Sequence, residues 1–261
     1  MIRALATAAS GMQAEETRMD VTANNIANAS TVGFKKSRAE FQDLVYQIVQ
    51  SPGAATGAGT TTPTGTQIGM GVRVSATQRM HTQGSMRQTG NSLDLAVEGD
   101  GFFQVNMPDG TIAYTRDGQF RLDEQGRVVT AQGFPLTSEI TVPPDASTVF
   151  VAADGTVTAA ADGDTTPMEL GNIELATFAN PAGLRALGKN LLAKTSASGT
   201  AITGRPGEND IGLLAQGSLE VSNVSVIEEM LDLITGQRTY ETNAKVISTV
   251  DEMLGATVRM R

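Results

Sequence analysis

Apolar and small residues near the N-terminus fall at Ile2, Leu5, Ala9, Met12, Met19, Ala23 and Ile26. Steps of three and four residues trace one face of an amphipathic or coiled-coil helix. Glu16 interrupts that seam, so a plain two-stranded zipper is not expected. The rhythm stops at Asn28-Ala29-Ser30-Thr31-Val32-Gly33, a turn-rich stretch that should end the helix. At ~1.5 Å per residue such a helix is a rod of roughly 40 Å.

The C-terminal end repeats the pattern at Val226, Met230, Leu233, Gln237, Tyr240, Ala244, Ile247, Leu254 and Val258. Asn223 or Ser222 could cap its start, and Glu228 and Glu229 suit the positive end of the helix dipole. At ~100° per residue, Val224, Val226, Ile227, Met230, Leu231, Leu233 and Ile234 spread over about half the circumference. One partner helix needs a narrower stripe. The expectation is therefore a pairing with Leu5, Met12, Met19 and Ile26 inside the chain, plus lateral contacts to other molecules. Left alone, the chain should have poorly ordered ends.

Between the helices the period changes. Gly101–Met107, Thr111–Arg116, Gln119–Leu122 and Arg127–Thr130 are short β-prone runs separated by Asp-Gly and Gln-Gly pairs. Glycine supplies the positive φ of tight hairpin turns, so this region reads as a meander, with further strands near Ile173–Phe178 and Leu191–Lys194. The fold class is α+β: terminal helices in a coiled-coil-like layer, with an inserted, mainly antiparallel β domain. Residues 51–64 carry threonine, glycine, alanine and proline without periodicity. They are either a flexible linker or a segment that orders only against another subunit.

Composition removes most chemistry. The formal net charge is −9, which offers nothing to neutralise a row of phosphates, so no nucleic-acid partner is expected. No apolar run approaches the ~20 residues of a membrane span. Cysteine is absent and His81 is the only histidine, which excludes thiol catalysis and any site needing two imidazoles. The start, Arg3 to Met12, is too weakly apolar for a cleaved signal peptide, so any export uses another route. Asp100 and Asp162-Gly163-Asp164 lack the ligand spacing of a calcium loop. Gly69 and Gly71 lack the strand and helix of a phosphate loop. Glu98, Asp100, Glu169 and Glu174 give no local sign of a hydrolytic carboxylate pair, and His81 has no evident orienting partner. No cofactor and no metal is expected.

Several segments resemble bacterial flagellar rod and hook axial proteins. Asp20 through Lys35, with Asn24-Asn25-Ile26-Ala27-Asn28 and Gly33-Phe34-Lys35, is similar to their N-terminal signature. Gln83-Gly84-Ser85-Met86, Leu95 through Phe103 and Tyr114 through Phe120 resemble the start of their β domain. Gln216 through Glu220, Ser222-Asn223-Val224 and Gln237 through Lys245 resemble their C-terminal region. The match runs nearly end to end. Length and the segment Glu40–Val74 most resemble the distal rod members.

The resemblance implies a structural, non-enzymatic subunit of a straight helical homopolymer, a drive shaft crossing the periplasm in the basal body. The implied partners are copies of itself, proximal rod proteins, the hook protein, the surrounding periplasmic and outer-membrane ring proteins and the flagellar export apparatus, without membrane insertion. It further implies that the Thr/Gly-rich segment is an ordered, subunit-bridging loop. Residues 1–35 with 220–261 would form the polymerisation layer, 36–75 with 206–219 a connecting segment, and 76–205 an outer β domain.

Candidate interface residues are Leu5, Met12, Met19, Asn24, Asn25, Ile26, Asn28, Gly33, Phe34, Val226, Met230, Leu233, Gln237, Tyr240, Asn243, Ile247 and Leu254. The asparagines either close the helix within one subunit or bond between subunits. Gly33 should allow a sharp reversal, with Phe34 anchoring the returning chain. The alternatives are a proximal rod or hook relative, against which stands the lack of a long β insertion, and an exported cell-wall glycan hydrolase, which leaves the terminal heptads unexplained.

Overall fold

The three-four spacing at each end is realised as a helix: α1 spans Ile2–Ala27 and α2 spans Val226–Arg259. The structure, a computed structural model, describes residues 2–53, 55–57, 60–61, 63–161, 168–208 and 210–259. These fall into two units, one of residues 1–27, 37–78 and 225–261, the other of 28–36 and 79–224.

In the first unit α1 and α2 pack along their lengths. Asn25 meets Glu229, Arg18 meets Asp232, Met19 lies by Gly236 and Gly11 by Asn243. One number rises as the other falls, so the helices run antiparallel. Strand Ser37–Asp43 packs on α1 and pairs with Val72–Arg79. Tyr46–Gln50 pairs antiparallel with Thr66–Gly69, and Ala55–Gly57 with Thr60–Thr61. The Thr/Gly-rich stretch is thus bracketed by a two-stranded ribbon; its residues 54, 58, 59 and 62 lie outside the described residues.

The second unit is β. Its six-stranded antiparallel sheet has the order Arg185–Gly188, Leu191–Ala193, Ile112–Thr115, Phe102–Asn106, Leu175–Thr177, Ile202–Gly204. Phe102–Asn106 with Ile112–Thr115, and Phe120–Leu122 with Val128–Thr130, are the expected hairpins. The order departs from a simple meander because Leu175–Thr177 inserts beside Phe102–Asn106, where Leu175 and Ala176 become fully buried. A three-stranded sheet of Ala146–Val151, Thr156–Ala161 and Met168–Asn172 adds to the body. Asp162-Gly163-Asp164 lies outside the described residues.

The scarcity of aromatics shows in the core. Aliphatic side chains such as Val97, Val105, Leu136, Ile140 and Leu175 surround one edge-to-face pair, Phe103 and Phe120, with ring centres 5.0 Å apart. On the other side of the sheet Phe102, Tyr114, Phe178 and Leu192 form a second apolar cluster.

Two further strand pairs complete this unit. Leu95–Glu98 pairs with Leu213–Gln216, and Met86–Gln88 with Ser218–Glu220. Neither Asn223 nor Ser222 caps α2. The Asn223 carboxamide accepts the Lys36 N–H and donates to the carbonyls of Met80 and Thr82, while Ser222 Oγ accepts from Val224 N–H. Ser225 precedes the helix instead, and its carbonyl accepts the Glu229 N–H.

Candidate functional site

The helix pair sorts the candidate residues into two sets. On α1, Leu5, Met12, Met19 and Ile26 are half-buried, in one row with buried Ala8 and Thr22. On α2 the covered row is Glu229, Leu233, Gly236, Asn243, Ile247, Val250 and Leu254. Its steps of three and four, with seven at Tyr240, keep the 3.5-residue average that holds a seam against a neighbouring helix. At Gly236 an added Cβ would lie 3.3 Å from Met19 Cγ, so the small residue permits close approach there.

Val226, Met230 and Gln237 are exposed and do not belong to that seam; Tyr240 lies at its border, 39 % exposed. The spacing from Val226 gives Val226 and Met230 a place in the intrachain pair as well as in lateral contacts; the helix turns them away from the pair because Glu229 occupies the covered position. Glu16 likewise faces solvent. The acid in the α1 seam is Glu15, which pairs with Arg18 at 3.6 Å, and Arg18 in turn bonds Asp232 of α2 at 3.2 Å.

What remains uncovered is an apolar surface on the first turns of α2. Ile227 is 75 % exposed and Leu231 61 %, beside exposed Val226, Met230 and Ile234. Monomeric surfaces rarely leave such residues contiguous without a partner.

The asparagines behave differently from one another. Asn24 is exposed. Asn25, 2 % exposed, accepts the Ser37 N–H at 2.9 Å and donates to the Ser37 carbonyl at 2.8 Å and to Glu229 Oε2 at 3.0 Å. It therefore holds α1, the returning strand and α2 together inside one chain. Asn28 Oδ1 accepts from Thr31 Oγ1 just past the helix end. Gly33 has φ +67°, a conformation that favours glycine, and an added Cβ would strike the Arg116–Asp117 peptide at 2.7 Å. Phe34 is half-buried, its N–H bonded to the Thr31 carbonyl.

Directly after this turn lies a buried ionic cluster. Lys35 Nζ donates to Glu220 Oε1 at 2.5 Å and to the Thr82 carbonyl at 2.7 Å. Arg116 Nη1 is 3.5 Å from Glu220 Oε2, and its guanidinium also donates to the carbonyls of Val97 and Gly99. Gly84 N–H donates to Glu220 Oε1, and the Glu220 carbonyl receives the Gly33 N–H. Lys35, Arg116 and Glu220 are 4 %, 5 % and 1 % exposed. Burial holds the Lys35 ammonium below its usual pKa, opposed by Glu220; burial also lowers Arg116.

Three family models match the chain in register with these elements. The "Flagella basal body rod protein" model covers residues 5–35, the "Flagellar hook protein FlgE/F/G D1 domain" covers 96–159, and the "Flagellar basal body rod FlgEFG protein C-terminal" covers 215–260. A flagellar basal-body rod protein FlgG of Buchnera aphidicola subsp. Acyrthosiphon pisum is 47 % identical over 97 % of this chain and 98 % of its own. The FlgG of Caulobacter vibrioides is 45 % identical over the whole of both chains. The chain belongs to the flagellar basal-body rod protein family. A flagellar hook-basal body complex protein, FlhP of Bacillus subtilis, is 30 % identical over 98 % of both chains.

The rod-protein motifs now have a shared physical basis. Gly33 and Lys35, Gly84, Arg116 and Glu220 come from four separated motifs, and they are the residues that build one ionic cluster. Sequence reasoning registered them as resemblance and missed the cluster. Glu229 was also missed as a seam residue; its acidic character suggested only a helix-dipole role. Glu98, Asp100, Glu169 and Glu174 are all exposed.

His81 is half-buried, edge-on to Phe102 at 5.5 Å, and that ring also lies under the Arg116 guanidinium at 5.4 Å. Burial lowers its pKa to about 4, helped by the cations Arg79, Lys35 and Arg116 and opposed by a backbone bond to Pro181. The unfolded chain takes up this proton near pH 6.5 and the native chain only near 4. The associated stability is thus complete above pH 6.5 and lost as pH falls toward 4, at most about 3 kcal/mol. Urea midpoints measured from pH 7 to 4.5 should fall more steeply for the native chain than for His81→Gln. Parallel curves would refute the assignment.

Proposed function

We propose that this chain is a structural subunit of the distal rod of the bacterial flagellar basal body. Its terminal helices pack in an inner layer of a straight helical tube, and the tube carries torque from the motor to the hook. The observation that carries the reading is the uncovered apolar surface on Val226, Ile227, Met230, Leu231 and Ile234. The intrachain partner α1 already occupies another face of α2, so neighbouring copies are what remains to cover it. Burying a side chain of this kind contributes about 1.5–3 kcal/mol, so five per subunit are enough to drive association. The terminal helices supply the polymerisation layer, residues 37–78 a connecting segment, and residues 28–36 with 79–224 the outer domain. Proximal rod proteins, the hook protein and the surrounding rings are its further contacts. The subunit reaches the periplasm through the flagellar export apparatus, without a cleaved signal peptide, and works without catalysis.

Electron microscopy of the purified protein at rising concentration tests this directly. Straight filaments of uniform diameter are expected. Limited proteolysis of the monomer should trim both ends and spare residues 79–224 of the β unit, with the ends protected in filaments. A chain that stays monomeric and fully protease-resistant at every concentration would contradict the proposal.

A further inference from the structure

The uncovered start of α2 carries an ordered pattern. Ile227, Met230, Leu231 and Ile234 stand at i, i+3, i+4 and i+7, the spacing by which an amphipathic helix anchors in an apolar groove. At ~100° per residue they form one ridge on the side of α2 roughly opposite Leu233 and Gly236, the seam residues that face α1. The same row continues into exposed Arg238, Glu241 and Lys245, so the apolar ridge is two turns long.

A groove lies at the other end of the same helix pair. The antiparallel packing sets the first turns of α1 against the last turns of α2, and strand Thr66–Gly69 runs beside them. Ser10 Oγ accepts the Val72 N–H at 3.3 Å, and Gly71, at φ +117°, has no Cβ to strike that hydroxyl, so the chain passes close over α1. Ala4, Thr7 and Ala8 are a row of short side chains on α1, and Gly69 adds none. Between them and the aliphatic walls Ile68, Val246 and Leu254 a hollow of about 990 Å³ is left. Arg3 is the charged side chain that lines it. The ridge has the opposite sign at its flank, where Glu228 and Asp232 are exposed, Asp232 being shared with Arg18 of its own chain.

We infer that the ridge of one copy docks in the groove of the next, with Glu228 toward Arg3. Resting on the homopolymer reading above, this docking names the two surfaces that meet. A chain cannot fill its own groove in this way, because Leu231 and Val246 lie on one helix about 22 Å apart. Nor does ridge meet ridge, since neither offers the other a hollow. The contact is therefore heterologous, joining different surfaces from opposite ends of the helix pair. Each added copy is displaced along the helix direction, and such a repeat extends instead of closing on a twofold axis.

Because the chain contains no cysteine, introduced thiols report the designed contact alone. The double variant Ala4→Cys, Leu231→Cys, oxidised under filament-forming conditions, should give a ladder of dimers, trimers and longer species joined through positions 4 and 231. Each single variant should stay unlinked. Ala4→Trp fills the hollow from an exposed position, and should raise the concentration needed for filaments about tenfold or more while circular dichroism stays unchanged. Arg3→Glu should raise it about threefold, and adding Glu228→Lys to that chain should restore it. Filaments that form without the link between 4 and 231, equal linking in Leu231→Cys alone, or normal assembly of Ala4→Trp would overturn the docking and leave the polymer reading standing. A native chain that never forms filaments, with no ladder from the double variant, would overturn both.

Discussion

Glu220→Gln is expected to lower the stability of the β unit by about 3–5 kcal/mol, the largest effect of any single isosteric change in this chain. The substitution keeps the side chain's shape but leaves Lys35 and Arg116 in the interior without their carboxylate. Arg116 cannot shed its charge, because a guanidinium stays protonated under any ordinary condition. Lys35 can, since burial already lowers its pKa, so part of the cost will appear as a released proton and a loss that eases as pH rises. For a unit of this size the thermal midpoint should drop by roughly 10 °C. The comparison that isolates the charge is the triple variant Lys35→Met, Arg116→Met, Glu220→Leu, which replaces the whole cluster with apolar groups. It should be markedly less destabilising than Glu220→Gln alone, because buried ion pairs contribute little net stability but are costly to break. If Glu220→Gln costs less than about 1 kcal/mol, the cluster is wetter than its exposure indicates.

The second large effect separates the two faces of α2. Ile227→Asp combined with Leu231→Asp should abolish filament formation while leaving the monomer's helix content and thermal midpoint nearly unchanged, because both positions face solvent in the single chain. Leu233→Asp or Met12→Asp should behave otherwise. Those side chains lie in the intrachain seam, so a carboxylate there breaks the α1–α2 pair first, at about 2–4 kcal/mol of local stability, and affects assembly only as a consequence. Sedimentation with circular dichroism distinguishes the two: loss of assembly with intact helices for the outward pair, and loss of both for the inward changes. If the outward double variant still polymerises, the first turns of α2 are not an assembly surface.

Other residues show where pattern suffices and where it fails. The hairpins at Asp109-Gly110 and Gln125-Gly126 were readable because a two-state alternation and a turn residue are local properties. The insertion of Leu175–Thr177 beside Phe102–Asn106 was not, since which strands become neighbours depends on contacts some seventy residues apart. On α2 the three-four spacing was correct in period and partly wrong in frame. Val226, Met230 and Gln237 fit one helical row, and Glu229, Leu233 and Gly236 fit another. Hydrophobicity alone favours the first row, but the partner's Asn25 and Met19 select the second, because an amide meets Glu229 and a bulky thioether needs Gly236.

By itself, then, the chain's pattern determined the helices at its ends, the α+β class, the excess of apolar surface on α2 and the family to which it belongs. These follow from periodicity, composition and short motifs, which are properties of residues near one another in the chain. The frame of the helix pair and the convergence of Lys35, Arg116 and Glu220 were decided only by the tertiary structure. A buried charge or amide is defined by what the rest of the fold brings against it, and that partner can come from anywhere in the sequence.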